Sequence, residues 1–229
     1  MGTLRIVSHS EEAFRDRVAA GQLLAKELAG WRGQRVVVLG IPRGGLVVAC
    51  ELARAIDADL DIVLSRKLRT PGHEELAMGA VSEDGKVFLN DEVVTEMGIS
   101  RNSSYLRRER EIQMQEITRR AELIRRVRPK VPIEGRVAII TDDGVATGAT
   151  MQAAVWAARQ EHPSRLVVAL PVGPEDTVSR LAQDADEVIC LRVPPYFAAV
   201  GQFYLRFGQV EDEEVLAILK EEYRRSQGK

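Results

Sequence analysis

The sequence predicts an α/β fold built on a doubly wound, mostly parallel sheet of five strands. Five short apolar runs alternate with segments whose apolar residues recur at helical spacing, and most runs stop at Gly, Pro or Asp. The runs are apolar throughout rather than at every second residue, which is typical of parallel strands buried on both faces. A chain of 229 residues is long enough for one such domain with additions.

The predicted elements follow one another in strand–helix order. The strands are expected at residues 35–41, 61–64, 136–141, 165–170 and 187–191. The helices are expected at residues 11–29, 46–55, 150–160, 175–182 and 211–225. Right-handed crossovers between parallel strands then place helices on both faces of the sheet. We expect a single domain over residues 1–229, with its core at about 30–192.

Two segments interrupt this alternation. Residues 81–89 place Asp84-Gly85 between apolar flanks, which predicts a β-hairpin. Residues 102–127 predict a long, charged, inserted helix with a narrow apolar stripe at Ile117, Ala121 and Ile124. Residues 101–136 hold 11 basic and 5 acidic residues. This helix is therefore either a solvated surface element or a basic wall for phosphates or nucleic acid.

The composition excludes several classes of protein. The 32 basic and 34 acidic residues give a net charge of −2, which argues against attraction of the whole protein to nucleic acid. Cys50 and Cys190 are too few for a disulfide scaffold or a cysteine-rich zinc site. No apolar stretch approaches the roughly 20 residues of a membrane helix, and the first residues lack a signal-peptide pattern. We therefore expect a cytoplasmic protein without a membrane partner.

The segment that carries chemistry is residues 137–151 (VAIITDDGVATGATM). A buried strand leads into two acids, a turn of small residues and the start of a helix. The small residues let backbone N–H groups close around a phosphate at the helix N-terminus, and two threonines add hydroxyl donors. These residues are Gly144, Ala146, Gly148 and Ala149, with Thr147 and Thr150.

Two acids beside this phosphate-binding turn indicate that the ligand is a sugar phosphate rather than a bare anion. Asp142 and Asp143 cannot bind a phosphate directly, and they suit ribose hydroxyls or a hydrated Mg²⁺ beside it. Their position after a strand end is where open α/β sheets bind ligands. Gly144 and Gly148 are one residue too close for a Walker A loop and no lysine follows them. The G-x-G-x-x-G dinucleotide motif is absent from the sequence.

This segment resembles the 5-phosphoribosyl-1-pyrophosphate (PRPP) signature of type I phosphoribosyltransferases. The matching positions are Ile139, Ile140, Asp142, Asp143, Thr147, Gly148 and Thr150. Residues 40–45 (GIPRGG) resemble the pyrophosphate-binding loop of that family, and residues 65–67 (SRK) with 68–79 resemble its mobile loop. Together these segments are most similar to a subgroup of stand-alone or fused bacterial and archaeal members without an agreed acceptor.

The resemblance implies Mg²⁺-dependent transfer of a 5-phosphoribosyl group from PRPP to a nucleobase or related small acceptor, with release of pyrophosphate. It implies catalytic roles for Arg43, Lys67, Asp142 and Asp143, and the two acids would hold the ribose hydroxyls directly or through the metal. The 5-phosphate would bind Ala146, Thr147, Gly148, Ala149 and Thr150. The pyrophosphate would bind Arg43, Gly44, Gly45, Arg66 and Lys67, with Arg69 and His73 as further contacts. A homodimer is also implied.

The acceptor would bind under a hood at about 193–229, where aromatic residues are concentrated. Tyr196 and Phe197 are candidates to stack on a flat base, although these aromatics could instead seal the sheet edge under the terminal helix. Ala146 stands where hypoxanthine–guanine enzymes carry an aspartate proposed to handle a proton, and adenine-type enzymes also have alanine there. The fallback general bases are His73, Glu74 and Glu75.

Two other functions are compatible with the sequence. A non-catalytic PRPP-binding regulator could contact nucleic acid through residues 101–136, and an enzyme of the same fold could use a protein or sugar acceptor. The presence of Arg43, Lys67 and the mobile-loop segment favours an enzyme with a small acceptor, because a sensor needs only the pocket at 142–150.

Overall fold

The computed structural model describes residues 2–228, except for the side chains of Glu74 and Glu75. The strands are β1 (Thr3–Ser8), β2 (Val36–Gly40), β3 (Asp59–Ile62), β4 (Ser65–Thr70), β5 (His73–Ser82), β6 (Val87–Leu89), β7 (Val137–Thr141), β8 (Arg165–Val172) and β9 (Glu187–Arg192). The helices are α1 (Arg17–Glu27), α2 (Gly44–Ile56), α3 (Asp91–Glu96), α4 (Ser104–Arg125), α5 (Ala149–Arg159), α6 (Glu175–Asp184) and α7 (Asp212–Gln227), with 3-10 turns at Ala29–Trp31 and Val200–Phe203.

The main sheet is α/β and parallel, as predicted, but it has six strands rather than five. Their order is β1-β9-β8-β7-β2-β3, and every neighbouring pair is parallel. The additional strand β1 pairs with β9 in register from Thr3↔Glu187 to Ser8↔Arg192. Its residues alternate between exposed and half-buried, because it lies at the sheet edge. It therefore lacks the continuous apolar run that marks the four inner strands.

The first helix is shorter than predicted. It begins at Arg17 rather than near residue 11, and the Asp16 side chain caps it by accepting a hydrogen bond from Ala19 N–H. Phe14, whose spacing suggested a helical position, instead forms a parallel bridge with Tyr204. The chain before α1 thus pairs with the segment that precedes α7.

A second, antiparallel sheet has the order β4-β5-β6. The predicted hairpin is confirmed, with Gly85 in its turn at φ 74°. The prediction of a loop over residues 68–79 is wrong, because β4 and β5 pair there around Gly72 at φ 73°. The inward residues Leu68 and Met78 are fully buried, which stabilises these strands despite the charged residues between them.

The long charged helix is α4, which packs on β4 and β5 of its own chain. Ile117 and Ile124 of the predicted stripe are buried. At its C-terminal end Arg125 donates to Asp61 at 2.7 Å and to both oxygens of Glu83 at 2.7 Å. Asp61 is 1% exposed, so this network fastens α4 to the end of β3.

Apolar layers cover both faces of the main sheet. Helices α1, α2 and α7 contribute to one layer, and α5 and α6 contribute to the other. Strand β7 lies between β2 and β8, so its carboxyl end opens at the middle of the sheet. Within residues 2–228 no helix combines the length and apolarity needed to cross a membrane.

Candidate functional site

Two adjacent acids lie at the carboxyl end of β7. The N–H of Asp143 donates to Oδ1 of Asp142 at 2.8 Å, which turns the Asp142 carboxyl group back over the loop. Burial and the neighbouring Asp143 carboxylate raise the pKa of Asp142 above its ordinary value. A carboxylate pair in this situation favours a cation or hydroxyl donors as ligands.

Arg17 and Tyr204 hold Asp143 from the two ends of the chain. Arg17 Nε lies 2.7 Å from Oδ2 of Asp143, and the two side chains are 12% and 13% exposed. The Tyr204 hydroxyl donates to the Asp143 carbonyl at 2.5 Å, and burial raises the pKa of that tyrosine. Arg17 also lies over the Phe207 ring, 4.0 Å from its centroid, and donates to Gly208 O. Neither residue was predictable from the sequence, because no motif accompanies them.

The segment that leads from β2 into the first turn of α2 packs directly on the acid pair. A Cβ on Gly45 would lie 2.7 Å from both Cα and Oδ1 of Asp142, and one on Gly44 would overlap Oδ2 of Asp143. Only glycine allows this approach at these two positions. The structure therefore brings the predicted pyrophosphate-binding loop beside the predicted ribose-binding acids. The peptide bond between Pro42 and Arg43 in this loop is cis.

The turn that follows the acids exposes backbone and hydroxyl groups. Gly148 precedes α5 with φ 77°, and Ala146, Thr147 and Thr150 are exposed around it. The first N–H groups of a helix have no partner within it, so those of α5, which begins at Ala149, are available to an anion. This arrangement agrees with the predicted 5-phosphate site.

Two side chains of α6 donate hydrogen bonds to carbonyls of this turn, and the sequence did not single them out. Thr177 Oγ1 donates to Ala146 O at 2.8 Å, and Arg180 donates to Thr147 O at 3.0 Å. These two hydrogen bonds hold the carbonyls of the turn on the side of α6. Arg180 also adds a positive charge next to the proposed phosphate.

Most of the predicted pyrophosphate-binding cations line a cavity of about 310 Å³ between β4, α4 and α5. Arg66, Lys67 and Arg69 enter from β4, Thr150 from α5 and Arg120 from α4. Arg43 does not line this cavity: its Nη1 lies 3.7 Å from Glu211 and 3.9 Å from Asp212 at the start of α7. The predicted contact of the Arg43 side chain with pyrophosphate therefore requires that side chain to turn.

The fallback general bases gain no support from the geometry. His73 is exposed where β4 turns into β5 and is not among the residues that line the cavity. The side chains of Glu74 and Glu75 lie outside the described residues.

The aromatic segment divides into packed and exposed rings. Phe203 and Tyr204 are buried, and Tyr204 stacks on Phe207 with centroids 5.1 Å apart. Phe197 stacks on Phe203 at 5.3 Å, which occupies one of its faces, whereas Tyr196 is 78% exposed. Packing of these rings on one another and on Phe14 therefore accounts for most of them, and Tyr196 is left to solvent.

Most basic residues of 101–136 bind other groups of the protein. Seven of the 11 form ion pairs or hydrogen bonds with side chains or carbonyls: Arg101, Arg110, Arg119, Arg125, Arg128, Lys130 and Arg136. The local charge excess is thus largely neutralised within the fold, which leaves little of a continuous basic surface.

The donor set suits Mg²⁺ only in part. The paired carboxylates of Asp142 and Asp143 are ligands that Mg²⁺ accepts, and this ion takes one or two carboxylates together with water and substrate oxygens. Among the described residues, no group of three or more His, Cys, Asp or Glu could hold a metal ion without such additional ligands. The two acids therefore fit a metal that arrives with a phosphorylated substrate.

The chain is similar to known proteins over most of its length. A protein of Mycobacterium tuberculosis named "Putative phosphoribosyl transferase", found in strains H37Rv and CDC 1551, is 47% identical over 211 residues, which cover 92% of this chain and 47% of that protein. The chain thus spans about half the length of these curated relatives. The crystal structure of TT1426 from Thermus thermophilus is 50% identical, with a TM-score of 0.85 over 91% of this chain and 98% of that one. A family model described as the phosphoribosyl transferase domain matches residues 15–207, and the chain belongs to that family.

Proposed function

We propose that the protein transfers a 5-phosphoribosyl group from PRPP to a nucleobase or related small acceptor and releases pyrophosphate in a Mg²⁺-dependent reaction. The observation that carries this proposal is the contact between two loops. The acids after β7 lie directly against Gly44 and Gly45 at the start of α2, and the N-terminal turn of α5 follows these acids along the chain. A sugar that carries both a 5-phosphate and a 1-pyrophosphate needs binding groups on both sides of its ribose, and this arrangement supplies them.

Each part of the site has a role in this reaction. The turn at 146–150 binds the 5-phosphate, and Asp142 and Asp143 hold the ribose 2- and 3-hydroxyls and are the residues that would bind Mg²⁺. As the bond from C1 to the pyrophosphate oxygen breaks, negative charge grows on the leaving group. Arg66 and Lys67 at the cavity stabilise that charge, and Mg²⁺ supplies further neutralisation when it is bound. Closure of the β4–β5 hairpin over the ligand would exclude water, which protects PRPP from hydrolysis.

The acceptor site belongs to the C-terminal part of the chain. We propose that residues 193–229 form a hood and that residues 1–229 act as one domain, since Tyr204 contacts Asp143 and α7 packs on α2 and β3. Tyr196 is the exposed ring that a flat acceptor could use, and Phe197 has one face left after it stacks on Phe203. A homodimer, as the resemblance implies, is part of the same proposal.

The experiment is a calorimetric titration of PRPP with Mg²⁺ into the wild type and an Asp142→Asn/Asp143→Asn double variant. We expect saturable binding by the wild type and loss of binding in the variant, because neutral amides replace both carboxylates. The matched control is Glu92→Gln/Glu96→Gln, which removes two exposed charges from α3 and should bind as the wild type does. Pyrophosphate release is then screened over a panel of purine and pyrimidine bases.

The outcomes separate the proposal from its alternatives. Absence of PRPP binding by folded wild type contradicts the proposal. Binding of PRPP without pyrophosphate release on any base, together with salt-sensitive binding to nucleic acid, would support a PRPP-binding regulator instead.

A further inference from the structure

Arg120 is a charged residue on the inner face of α4. Gln113, Ile117 and Ile124 of the same helix are buried, and Arg120 follows Ile117 by three residues. Residues three or four apart share a helix face, so Arg120 points to the same side. Its side chain lines the cavity of about 310 Å³ between α4, β4 and α5.

The other charged residues on this face are bound to the protein. Glu109 accepts from the N–H of Arg69 at 3.2 Å and from Gln113 at 3.0 Å, and Arg125 binds Asp61 and Glu83. Arg120 forms neither an ion pair nor a hydrogen bond with any group that the structure describes. A guanidinium without a partner at a cavity favours an anion there.

The charges around the cavity fit the same ligand. Arg66, Lys67 and Arg69 of β4 line it from one side and Arg120 from the other, and Glu116 is the one acid among its lining residues in the described part of the chain. Thr150 also lines it, so the cavity continues from the turn at 146–150. Its volume lies at the lower end of the range of about 300–1,000 Å³ for small-molecule sites.

The position of α4 is fixed relative to β4. Arg66 Nε donates to Gln113 Oε1 at 3.2 Å, and the buried Arg125 network fastens the end of the helix. Arg120 lies between these two attachments along the helix, so its Cα is held against the cavity. Arg43 lies in a neighbouring groove that Arg120 also lines and pairs weakly with Glu211 and Asp212 there.

We propose that Arg120, on the inserted helix α4, is a pyrophosphate-binding residue that faces Arg66, Lys67 and Arg69 across the cavity. This inference rests on the proposed function. The guanidinium donates two N–H groups to the oxygens of the β-phosphate in PRPP and of the released pyrophosphate. The inserted helix thus forms one wall of the active site.

The test uses two probes, inorganic pyrophosphate with Mg²⁺ and ribose 5-phosphate, titrated by calorimetry into the wild type, Arg120→Gln and Arg120→Lys. We expect Arg120→Gln to bind pyrophosphate about tenfold more weakly or worse, since it loses a charge-assisted contact. Arg120→Lys should recover part of the affinity. Ribose 5-phosphate should bind all three proteins within about twofold, because its site is at 142–150.

The matched control is Arg108→Gln, an exposed residue of α4 that does not line the cavity. It should leave the affinity for both probes unchanged. Arg120 is itself exposed, so its variants should keep the thermal unfolding midpoint of the wild type.

Equal loss of pyrophosphate affinity in Arg108→Gln and Arg120→Gln would overturn the inference, because it would indicate a general charge effect. Wild-type affinity for pyrophosphate in Arg120→Gln, with loss in Lys67→Gln, would also overturn it and would leave the proposed function intact. Loss on Arg120→Gln in a protein that does not bind PRPP would support the anion site and contradict the proposed function.

Discussion

Asp142 occupies a position where a carboxylate is electrostatically unfavourable in the ligand-free protein. Burial at the end of β7 and the adjacent Asp143 carboxylate both raise its pKa. The Arg17 guanidinium acts in the opposite direction, but it binds Asp143 directly rather than Asp142. A site of this kind gains affinity for cations and hydroxyl groups at the expense of stability.

We therefore predict that Asp142→Asn stabilises the ligand-free protein by about 1 kcal/mol at pH 7. The amide keeps the Oδ1 acceptor for the Asp143 N–H and removes the charge. A group with a raised folded-state pKa contributes stability below its unfolded pKa of about 3.9 and loses it as the pH rises through the folded value. The gain should therefore be present in urea unfolding at pH 7 and absent at pH values below about 4. A variant no more stable than the wild type at pH 7, with Glu96→Gln as control, would contradict this account.

Arg17 should set the pH at which the acid pair binds its ligand. Without the Arg17 guanidinium the pKa of Asp142 should rise further, because one attractive charge is lost and the repulsion from Asp143 remains. In Arg17→Gln we predict that the affinity for PRPP with Mg²⁺ falls at neutral pH and recovers partly as the pH increases. Measured as a ratio to the wild type at each pH, the effect is independent of the titration of PRPP itself.

The control for this prediction is Arg15→Gln, whose side chain is 62% exposed and pairs with Asp16 rather than with the site. Its affinity for PRPP with Mg²⁺ should equal that of the wild type across the pH range. If the ratio of PRPP affinities between Arg17→Gln and the wild type does not change with pH, Arg17 positions Asp143 and does not act through the pKa of Asp142.

In the turn from β7 into α5, two features require glycine at position 148: a left-handed backbone conformation and the lack of space for a Cβ atom. Gly148 has φ 77°, and a Cβ there would lie 2.7 Å from Cγ2 of Thr177, which is 2% exposed. Gly98 shares the left-handed conformation, with φ 62°, but a Cβ there would meet no atom within 4 Å. Substitution of Gly98 therefore tests backbone strain alone, whereas substitution of Gly148 tests strain and steric contact together.

We predict that Gly98→Ala costs about 1 kcal/mol from the left-handed conformation alone. Gly148→Ala should cost about 1–3 kcal/mol more, because the methyl group displaces Thr177 from its hydrogen bond to Ala146 O. Only Gly148→Ala should weaken binding of ribose 5-phosphate. Equal stability losses and unchanged affinity would show that α6 does not brace the turn.

The strands β1 and β4 were not predicted from the sequence, because neither has the apolar pattern of a buried strand. The edge strand β1 is half exposed, and its partner β9 lies more than 180 residues away along the chain. The strand β4 (SRKLRT) carries three basic residues because one of its faces lines the cavity, so it lacks the apolar pattern of a buried strand. Because these basic residues interrupt the apolar pattern, the sequence suggested a loop where the structure has a strand.

For the whole molecule, continuous apolar runs were sufficient to predict the inner strands, and the spacing within 142–150 was sufficient to predict the acid pair and the turn beside it. The side chains that support these groups were not predictable. Arg17, Arg120 and Tyr204 come from three distant parts of the chain, and each is an ordinary residue in its local sequence. Only the folded arrangement brings Arg17 and Tyr204 to Asp143, and Arg120 to the cavity between α4, β4 and α5.

Both ends of the chain meet at Asp143, through Arg17 after the N-terminal strand and Tyr204 in the C-terminal segment. Phe14 strengthens this junction, since its N–H donates to Phe203 O at 2.8 Å and its ring packs 5.4 Å from that of Tyr204. A ligand that orders the acid pair should therefore order both ends as well. At a PRPP concentration of about 100 times Kd, binding adds about 2.7 kcal/mol to the free energy of unfolding.

We predict that PRPP with Mg²⁺ slows amide hydrogen exchange at residues 14–17 and 203–208 as well as at 142–150. The exchange is measured by mass spectrometry of peptides from the wild type and from Tyr204→Phe. In that variant the hydroxyl no longer reaches Asp143 O, so protection at 142–150 should persist while protection at 203–208 decreases. Protection confined to 142–150 in the wild type would show that the ends of the chain pack beside the site without sharing its response to ligand.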